Sequence, residues 1–97
     1  MQTLFQNITI EQAKELLSHG ANVVDIRDEA SFSTSHVEGA IHLTNDNLQD
    51  FIRENDLDKP LLVYCYHGHS SQNAAQFLAE QGFEEVYSVI GGYTEWQ

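Results

Sequence analysis

The sequence predicts an α/β fold, with a mostly parallel five-stranded sheet and helices on both faces. Short apolar runs alternate along the chain with segments whose apolar residues recur every three or four positions. Strands that alternate with helices favour parallel pairing, because a parallel crossover needs a long connection that is usually a helix. The apolar runs lack the polar alternation of a half-exposed strand, which indicates a sheet covered on both faces. A length of 97 residues suits a single domain spanning 1–97.

The first half of the chain begins with a predicted helix. Thr9 is suited to cap a helix that starts near Ile10, and Gly20 is suited to end it. Residues 21–26 are then predicted to form a buried strand. After an acidic segment of small residues, 39–43 are predicted to form a second, shorter strand.

The middle of the chain carries one more helix and the most apolar strand. Residues 44–46 form a cluster of capping residues, and the apolar spacing over 48–52 predicts a helix behind it. Pro60 breaks this helix. Residues 61–65 follow at once and are predicted to form the most apolar strand of the chain.

The last third of the chain repeats the alternation. A helix is predicted to begin at Ser70 or Ser71, which are suited to cap it, and to stop at Gly82. Residues 86–89 are predicted to form the last strand. A tight turn at 91–92 then leads into a short helical segment.

Charge and composition exclude several classes of function. The chain has 15 acidic residues against 4 Lys or Arg, a formal net charge of −11, so neither nucleic acid nor an anionic membrane is expected as a partner. A single Cys excludes an internal disulfide framework. The N-terminus has no export signal pattern, and a lone Cys suits a reducing compartment, so a cytoplasmic location is expected. No cofactor is expected, and the chain is expected to be a monomer or a weak homodimer.

The most informative segment is the predicted strand–loop–helix junction at Cys65. Cys65 ends the apolar strand, 66–69 form a short loop, and a helix begins at once. This arrangement directs backbone N–H groups and a helix N-terminus at the sulfur, which favours the thiolate and forms an anion-binding cradle. A lone Cys after a strand is more often a small buried hydrophobe. A buried Cys does not require Gly68 and paired serines directly after it, so a nucleophile is the favoured hypothesis.

Two other chemistries use similar residues. Cys65, His67 and His69 alternate and are all zinc ligand types, but ligands two apart in a tight loop rarely converge and no fourth ligand is evident, so no metal is expected. A cysteine phosphatase needs an Arg six positions after the Cys to clamp a phosphate dianion. Ser71 occupies that position, and the loop contains neither Arg nor Lys, which argues against phosphoryl transfer.

Four segments together resemble the single-domain rhodaneses, which are thiosulfate sulfurtransferases, and most closely the bacterial GlpE type. They are Val24-Asp25-Ile26-Arg27-Asp28 with Phe32, the run from His36 to Asp46, Cys65-Tyr66-His67-Gly68 with Ser70-Ser71, and Gly91-Gly92-Tyr93 with Trp96. They cover nearly the whole chain in the family's order. His69 lies at a variable position of the loop.

The resemblance implies a ping-pong reaction at Cys65. The thiolate attacks the outer sulfur of thiosulfate, sulfite leaves, and the resulting persulfide passes its sulfur to cyanide, a dithiol or a thioredoxin-like protein. The substrate-binding groups are expected to be mainly the backbone amides of Tyr66, His67, Gly68, His69, Ser70 and Ser71. The alternatives are a non-catalytic rhodanese-like binding module, although such modules usually lose the Cys, and a persulfide carrier with another sulfur donor.

The chain departs from many rhodaneses because its loop has two histidines in place of Arg or Lys. Weak thiosulfate binding, with a KM of roughly millimolar size, is therefore expected, and it should improve when His67 or His69 is protonated. Arg27 is a candidate substrate contact near the mouth of the site. The favoured interpretation of Arg27 is an ion pair with Asp25, and His36 and His42 are expected to hold backbone geometry.

Overall fold

A computed structural model describes residues 2–96, and strands and helices alternate along them. The elements are β1 (Gln6–Ile8), α1 (Ile10–Ser18), β2 (Asn22–Asp25), α2 (Glu29–Thr34), β3 (Ile41–His42), α3 (Leu48–Glu54), β4 (Leu61–Tyr64), α4 (Ser70–Glu80), β5 (Val86–Val89) and α5 (Gly92–Trp96). Within these residues no helix combines the length and apolar character needed to cross a bilayer.

All five strands pair in parallel, in the order β1-β5-β4-β2-β3. Strand β4 lies at the centre, and each of its four residues is buried, as its continuous apolar sequence predicts. Parallel pairing places the carboxyl ends of β2, β3, β4 and β5 along one edge of the sheet. In open parallel sheets this edge is where functional loops gather.

Helices cover both faces of the sheet, as predicted. On one face α3 and α4 pack over a core that includes Phe51, Val63 and Leu78. On the other face α1 and α5 pack over a second core, which includes Leu62 and Tyr93. Successive residues of β4 therefore point into different cores, which is why the strand tolerates no polar residue.

The predicted helix starts are confirmed at α1 and wrong at α3. Thr9 caps α1 with a full capping box, since its hydroxyl accepts from the amide of Gln12 and its own amide donates to the Gln12 side chain. The cap of α3 is Asn47, outside the cluster predicted at 44–46. The Asn47 side chain accepts from the Thr44 amide and so fixes the turn before the helix.

Two elements are absent from the sequence prediction, β1 and α2. Strand β1 lies at the edge of the sheet and buries only Ile8 of its three residues, so its sequence shows no apolar run. Helix α2 has six residues and buries none of them completely. Its start is marked by Asp28, whose carboxylate accepts from the Ser31 amide.

Candidate active site

The sulfur of Cys65 lies in a cradle of hydrogen-bond donors at the carboxyl end of β4. Cys65 follows the strand directly and is 4% exposed. The chain then turns back over the sulfur, so that the amides of Gly68 and Ser71 each donate to Sγ at 3.2 Å. Helix α4 begins at Ser70, and its N-terminal end therefore points at the sulfur. Amide dipoles and the helix dipole both favour a negative charge there.

Two buried hydroxyls extend the cradle behind the sulfur. The Ser71 hydroxyl lies 3.3 Å from Sγ, and its oxygen lies 2.8 Å from that of Ser88 on β5. Both serines are fully buried.

The prediction that Ser70 and Ser71 cap α4 is wrong, because both lie inside the helix and the N-cap is His69, which makes no side-chain cap bond. The feature of the sequence that could have identified Ser88 as part of the site is that it is a small polar residue inside an otherwise apolar predicted strand.

These donors lower the pKa of the Cys65 thiol below its ordinary value. Burial is the largest single influence and acts in the opposite direction, since it disfavours the charged form. Hydrogen bonds from the Ser71 hydroxyl and from the amides of Ser71, Gly68 and His67 outweigh it. The cradle therefore stabilises a thiolate without any basic side chain, as the sequence predicted for this loop.

The loop that follows Cys65 packs against α5 through its first two carbonyl groups. The carbonyl of Cys65 accepts from the Tyr93 amide at 2.8 Å, and that of Tyr66 accepts from the Thr94 amide at 3.1 Å. Gly92 approaches both carbonyls so closely that a Cβ atom there would lie 2.5 Å from the Cys65 oxygen. Since these carbonyls bond to α5 on one side of the loop, the amides that follow are free to turn toward the sulfur on the other side.

Two glycines make this close stacking of loop and turn possible. Gly68 has a φ of 89°, and a Cβ there would lie 2.9 Å from the Gly91 amide nitrogen. Gly92 has a φ of 61°. L side chains rarely adopt this left-handed region, so both positions favour glycine on conformational as well as steric grounds. The tight turn predicted at Gly91-Gly92 is confirmed.

Arg27 forms the predicted ion pair with Asp25. Its Nη2 lies 2.7 Å from Oδ2 of Asp25, its Nε also donates to that carboxylate, and Nη2 donates to the Ser35 carbonyl. The guanidinium lies 4.3 Å from the ring centroid of Tyr93. Asp25 is fully buried and Arg27 is 7% exposed. The bond to Asp25 raises the pKa of Arg27, so the guanidinium keeps its positive charge beside the Asp25 carboxylate.

Three loop side chains reach the surface. Tyr66 is 42% exposed, and its hydroxyl bonds to that of Ser31 on α2 at 2.9 Å. His67 is exposed and its Nδ1 lies 3.3 Å from the Thr94 hydroxyl. His69 is also exposed. Among residues 2–96, no three His, Cys, Asp or Glu side chains are grouped to hold a metal ion.

The structural roles predicted for His36 and His42 are confirmed. Nδ1 of His36 bonds to the Phe32 carbonyl at 2.7 Å, and Nε2 of His42 bonds to the Arg27 carbonyl at 2.6 Å. Both imidazoles stack on the Phe32 ring, with centroid distances of 3.8 Å for His36 and 4.8 Å for His42. They hold α2 against the sheet edge and lie apart from the bonds made to Sγ.

Comparisons with known proteins agree with this architecture. The family model described as Rhodanese-like domain matches residues 9–97. A protein of Ectopseudomonas mendocina (strain ymp) named thiosulfate sulfurtransferase GlpE is 57% identical over 93 residues, which cover 96% of this chain and 85% of that protein. A protein of the same name from Pseudomonas aeruginosa (strain LESB58) is 50% identical over all 97 residues and 88% of its own length. The crystal structure of a rhodanese-like domain protein from Staphylococcus aureus superposes with a TM-score of 0.81 at 20% identity, covering 96% of this chain and 92% of that one.

Proposed function

The chain belongs to the rhodanese-like domain family, and we propose that it is a thiosulfate sulfurtransferase with Cys65 as its nucleophile. The observation that carries the proposal is the environment of Sγ, which receives two amide hydrogen bonds at 3.2 Å and lies beside the Ser71 hydroxyl. The name shared by the relatives at 57% and 50% identity supports the same activity.

In the first half-reaction the Cys65 thiolate attacks the outer sulfur of thiosulfate. A bond forms between Sγ and that sulfur, the sulfur–sulfur bond of thiosulfate breaks, and its electron pair leaves with sulfite. The thiolate is the reactive form, so the lowered pKa of Cys65 raises the fraction of protein ready to react at neutral pH. The enzyme then holds a persulfide with its negative charge on the outer sulfur.

The loop suits a singly charged persulfide better than a phosphate dianion. Its donors are backbone amides and a hydroxyl, and neither Lys nor Arg occurs between 66 and 71. Backbone amides disperse a single charge without the counter-ion that a dianion requires. Exposed imidazoles at His67 and His69 are then the groups of the loop that can supply positive charge to thiosulfate, and only when protonated.

In the second half-reaction an acceptor removes the outer sulfur. Cyanide attacks that sulfur, thiocyanate forms, and the electron pair of the broken bond returns to Sγ. A dithiol or a thioredoxin-like protein is the proposed cellular acceptor. Such chemistry needs a reduced Cys65, and a reducing compartment such as the cytoplasm is the proposed location.

Intact mass spectrometry tests the proposal directly. Wild-type protein treated with thiosulfate should gain the mass of one sulfur atom, and cyanide should remove it as thiocyanate. Cys65→Ser should gain nothing. An unchanged mass with a Cys65 that still reacts with an alkylating agent would make thiosulfate the wrong donor, and polysulfide the next one to try. A Cys65 that resists alkylation would return it to the role of a buried hydrophobe.

A further inference from the structure

An apolar groove of about 640 Å³ opens beside the cradle, and we name it the α4 groove. Six of its ten lining residues are apolar: Ile26, Leu43, Leu48, Ala74, Phe77 and Leu78. Its volume lies within the range of roughly 300–1,000 Å³ that is usual for small-molecule sites. Phe77 forms part of its rim and is 39% exposed.

The α4 groove adjoins Cys65 through two elements. The Ile26 amide donates to the Tyr64 carbonyl at 3.1 Å and continues the ladder between β2 and β4. Ile26 is therefore the neighbour of Cys65 across the sheet. On the helix side, Ala74 lies one turn after Ser71, whose hydroxyl contacts Sγ. Cys65 does not itself line the groove, but two of the lining residues, Ile26 and Ala74, lie on the two elements that flank it.

The α4 groove presents no free charge among the described residues 2–96. Arg27 is its one charged lining residue, and Asp25 neutralises the guanidinium at 2.7 Å. The chain as a whole carries a net charge of −11, which repels anionic molecules. Thiosulfate, a small dianion, gains no contact from an apolar surface. The groove therefore suits a neutral, apolar molecule that must also reach the sulfur.

We propose that the α4 groove binds the hydrocarbon part of a neutral alkyl thiol that acts as sulfur acceptor, an assignment that rests on the proposed function. The thiol loses its proton to solvent, and the resulting thiolate attacks the outer sulfur of the Cys65 persulfide. A new sulfur–sulfur bond forms to the acceptor, the bond from Sγ to the outer sulfur breaks, and its electron pair returns to Sγ. The products are an alkyl persulfide and the Cys65 thiolate, with no external oxidant or reductant.

The test compares straight-chain alkanethiols, whose thiols differ little in acidity. Protein loaded with thiosulfate and desalted is mixed with ethanethiol, propanethiol, butanethiol or pentanethiol, and loss of the persulfide is followed by intact mass. Each added methylene that enters the groove should raise the discharge rate per concentration of thiol about fourfold. 6-Mercaptohexanoate, whose thiol is about as acidic as that of an alkanethiol but whose chain ends in a carboxylate, should discharge the persulfide more slowly than pentanethiol.

A pair of variants connects that trend to the groove. Phe77→Ser removes an apolar rim residue and should reduce the ratio of the pentanethiol rate to the ethanethiol rate several-fold. The matched control is Leu57→Ser, which removes an apolar side chain of similar exposure (37%) outside the groove and should keep the wild-type ratio. Using a ratio cancels any change in the intrinsic reactivity of the persulfide.

The outcomes separate this inference from the function on which it rests. If the persulfide forms and cyanide discharges it, but chain length has no effect, the groove assignment is overturned and sulfur transfer stands. An equal loss of the ratio in Leu57→Ser would also overturn the assignment, as would faster discharge by 6-mercaptohexanoate than by pentanethiol. If thiosulfate forms no persulfide at all, the proposed function fails and the groove assignment fails with it.

Discussion

The carboxyl edge of the sheet carries two buried ionisable groups whose charges are stabilised in different ways. Cys65 packs toward α4, and its sulfur receives amide hydrogen bonds from Gly68 and Ser71 but contacts no basic group. Arg27 packs against Tyr93, and its guanidinium donates hydrogen bonds to the carboxylate of Asp25. Amide dipoles therefore stabilise the negative charge of Cys65, whereas a counter-ion, Asp25, stabilises the positive charge of Arg27.

This difference determines which of the two charges, that of the Cys65 thiolate or that of the Arg27 guanidinium, can take part in a reaction. A thiolate held by amides has no counter-ion to displace when an electrophile arrives, and the same amides can follow the charge as it moves to the outer sulfur. A guanidinium bonded to a buried carboxylate has its charge already matched, and breaking that pair leaves a bare buried ion. The charge in the cradle is therefore available to react. The Asp25–Arg27 pair instead stabilises the loop that follows β2.

The largest expected effect is the loss of stability on breaking the buried pair. Asp25→Asn leaves the guanidinium of Arg27 without a counter-charge at a site that is 7% exposed. Removing one partner of a buried pair costs about 3–5 kcal/mol in the free energy of unfolding. Urea denaturation of the variant and the wild type measures the difference.

Two further variants sharpen this test. Asp50→Asn breaks the exposed Asp50–Arg53 pair, and its unfolding curve should match the wild type because solvent screens both partners. The double variant Asp25→Val with Arg27→Met removes both buried charges and should be more stable than Asp25→Asn alone. Equal stability of Asp25→Asn and Asp50→Asn would contradict the structural role assigned to the buried pair.

The second effect is on the geometry of the cradle. In Gly92→Ala the new Cβ would lie 2.5 Å from the Cys65 carbonyl oxygen, so the loop must move away from α5. A displacement of about 1 Å in a catalytic loop can reduce kcat/KM on the order of 100-fold. Initial rates of thiocyanate formation measure it.

Gly20→Ala is the matched control for Gly92→Ala. Gly20 also has a positive φ, of 95°, but nothing lies within 4 Å of its Cβ position. Both variants bear a similar conformational cost of about 1 kcal/mol, so stability should fall in each. Activity should fall only in Gly92→Ala, and an equal fall in both would show that the close approach to Cys65 is not what positions the loop.

A smaller effect is expected on the ionisation of Cys65. Ser71→Ala removes the hydroxyl beside Sγ, so less stabilisation opposes burial and the pKa of the Cys65 thiol should rise. Because the thiol pKa is higher in the variant, a smaller fraction of its Cys65 is thiolate at neutral pH. Alkylation of the variant at neutral pH should therefore be several-fold slower than that of the wild type. The pH profile of alkylation measures the shift. Ser88→Ala, which removes only the indirect partner, should shift the profile less, and a wild-type profile in Ser71→Ala would remove the hydroxyl from the mechanism.

The same two regions show how far sequence alone predicts this molecule. The apolar run of β4 predicted a buried strand, and the loop composition after it predicted the cradle of amides around Cys65, because both depend on residues adjacent along the chain. Ser88 and the α5 amides were not predicted as parts of the site, because parallel pairing and a glycine turn bring them to Cys65 from a distant segment. Strand β1 was missed for a related reason, since an edge strand with one buried side chain leaves little pattern.

The smallest expected effect is the change in the KM for thiosulfate when a cationic side chain is added to the loop. His69 is exposed and makes no side-chain cap bond, so His69→Lys should leave α4 intact while adding a permanent positive charge to the loop. An exposed charge contributes about 0.2–1 kcal/mol, so the KM for thiosulfate should fall by a factor of roughly 1.4 to 5, mostly at low ionic strength. The matched control is His19→Lys, which makes the same change of net charge at the exposed end of α1. If both variants lower KM equally, the net charge of −11 governs the approach of thiosulfate. If only His69→Lys does so, the loop binds the anion locally, and its reliance on dipoles is what limits affinity.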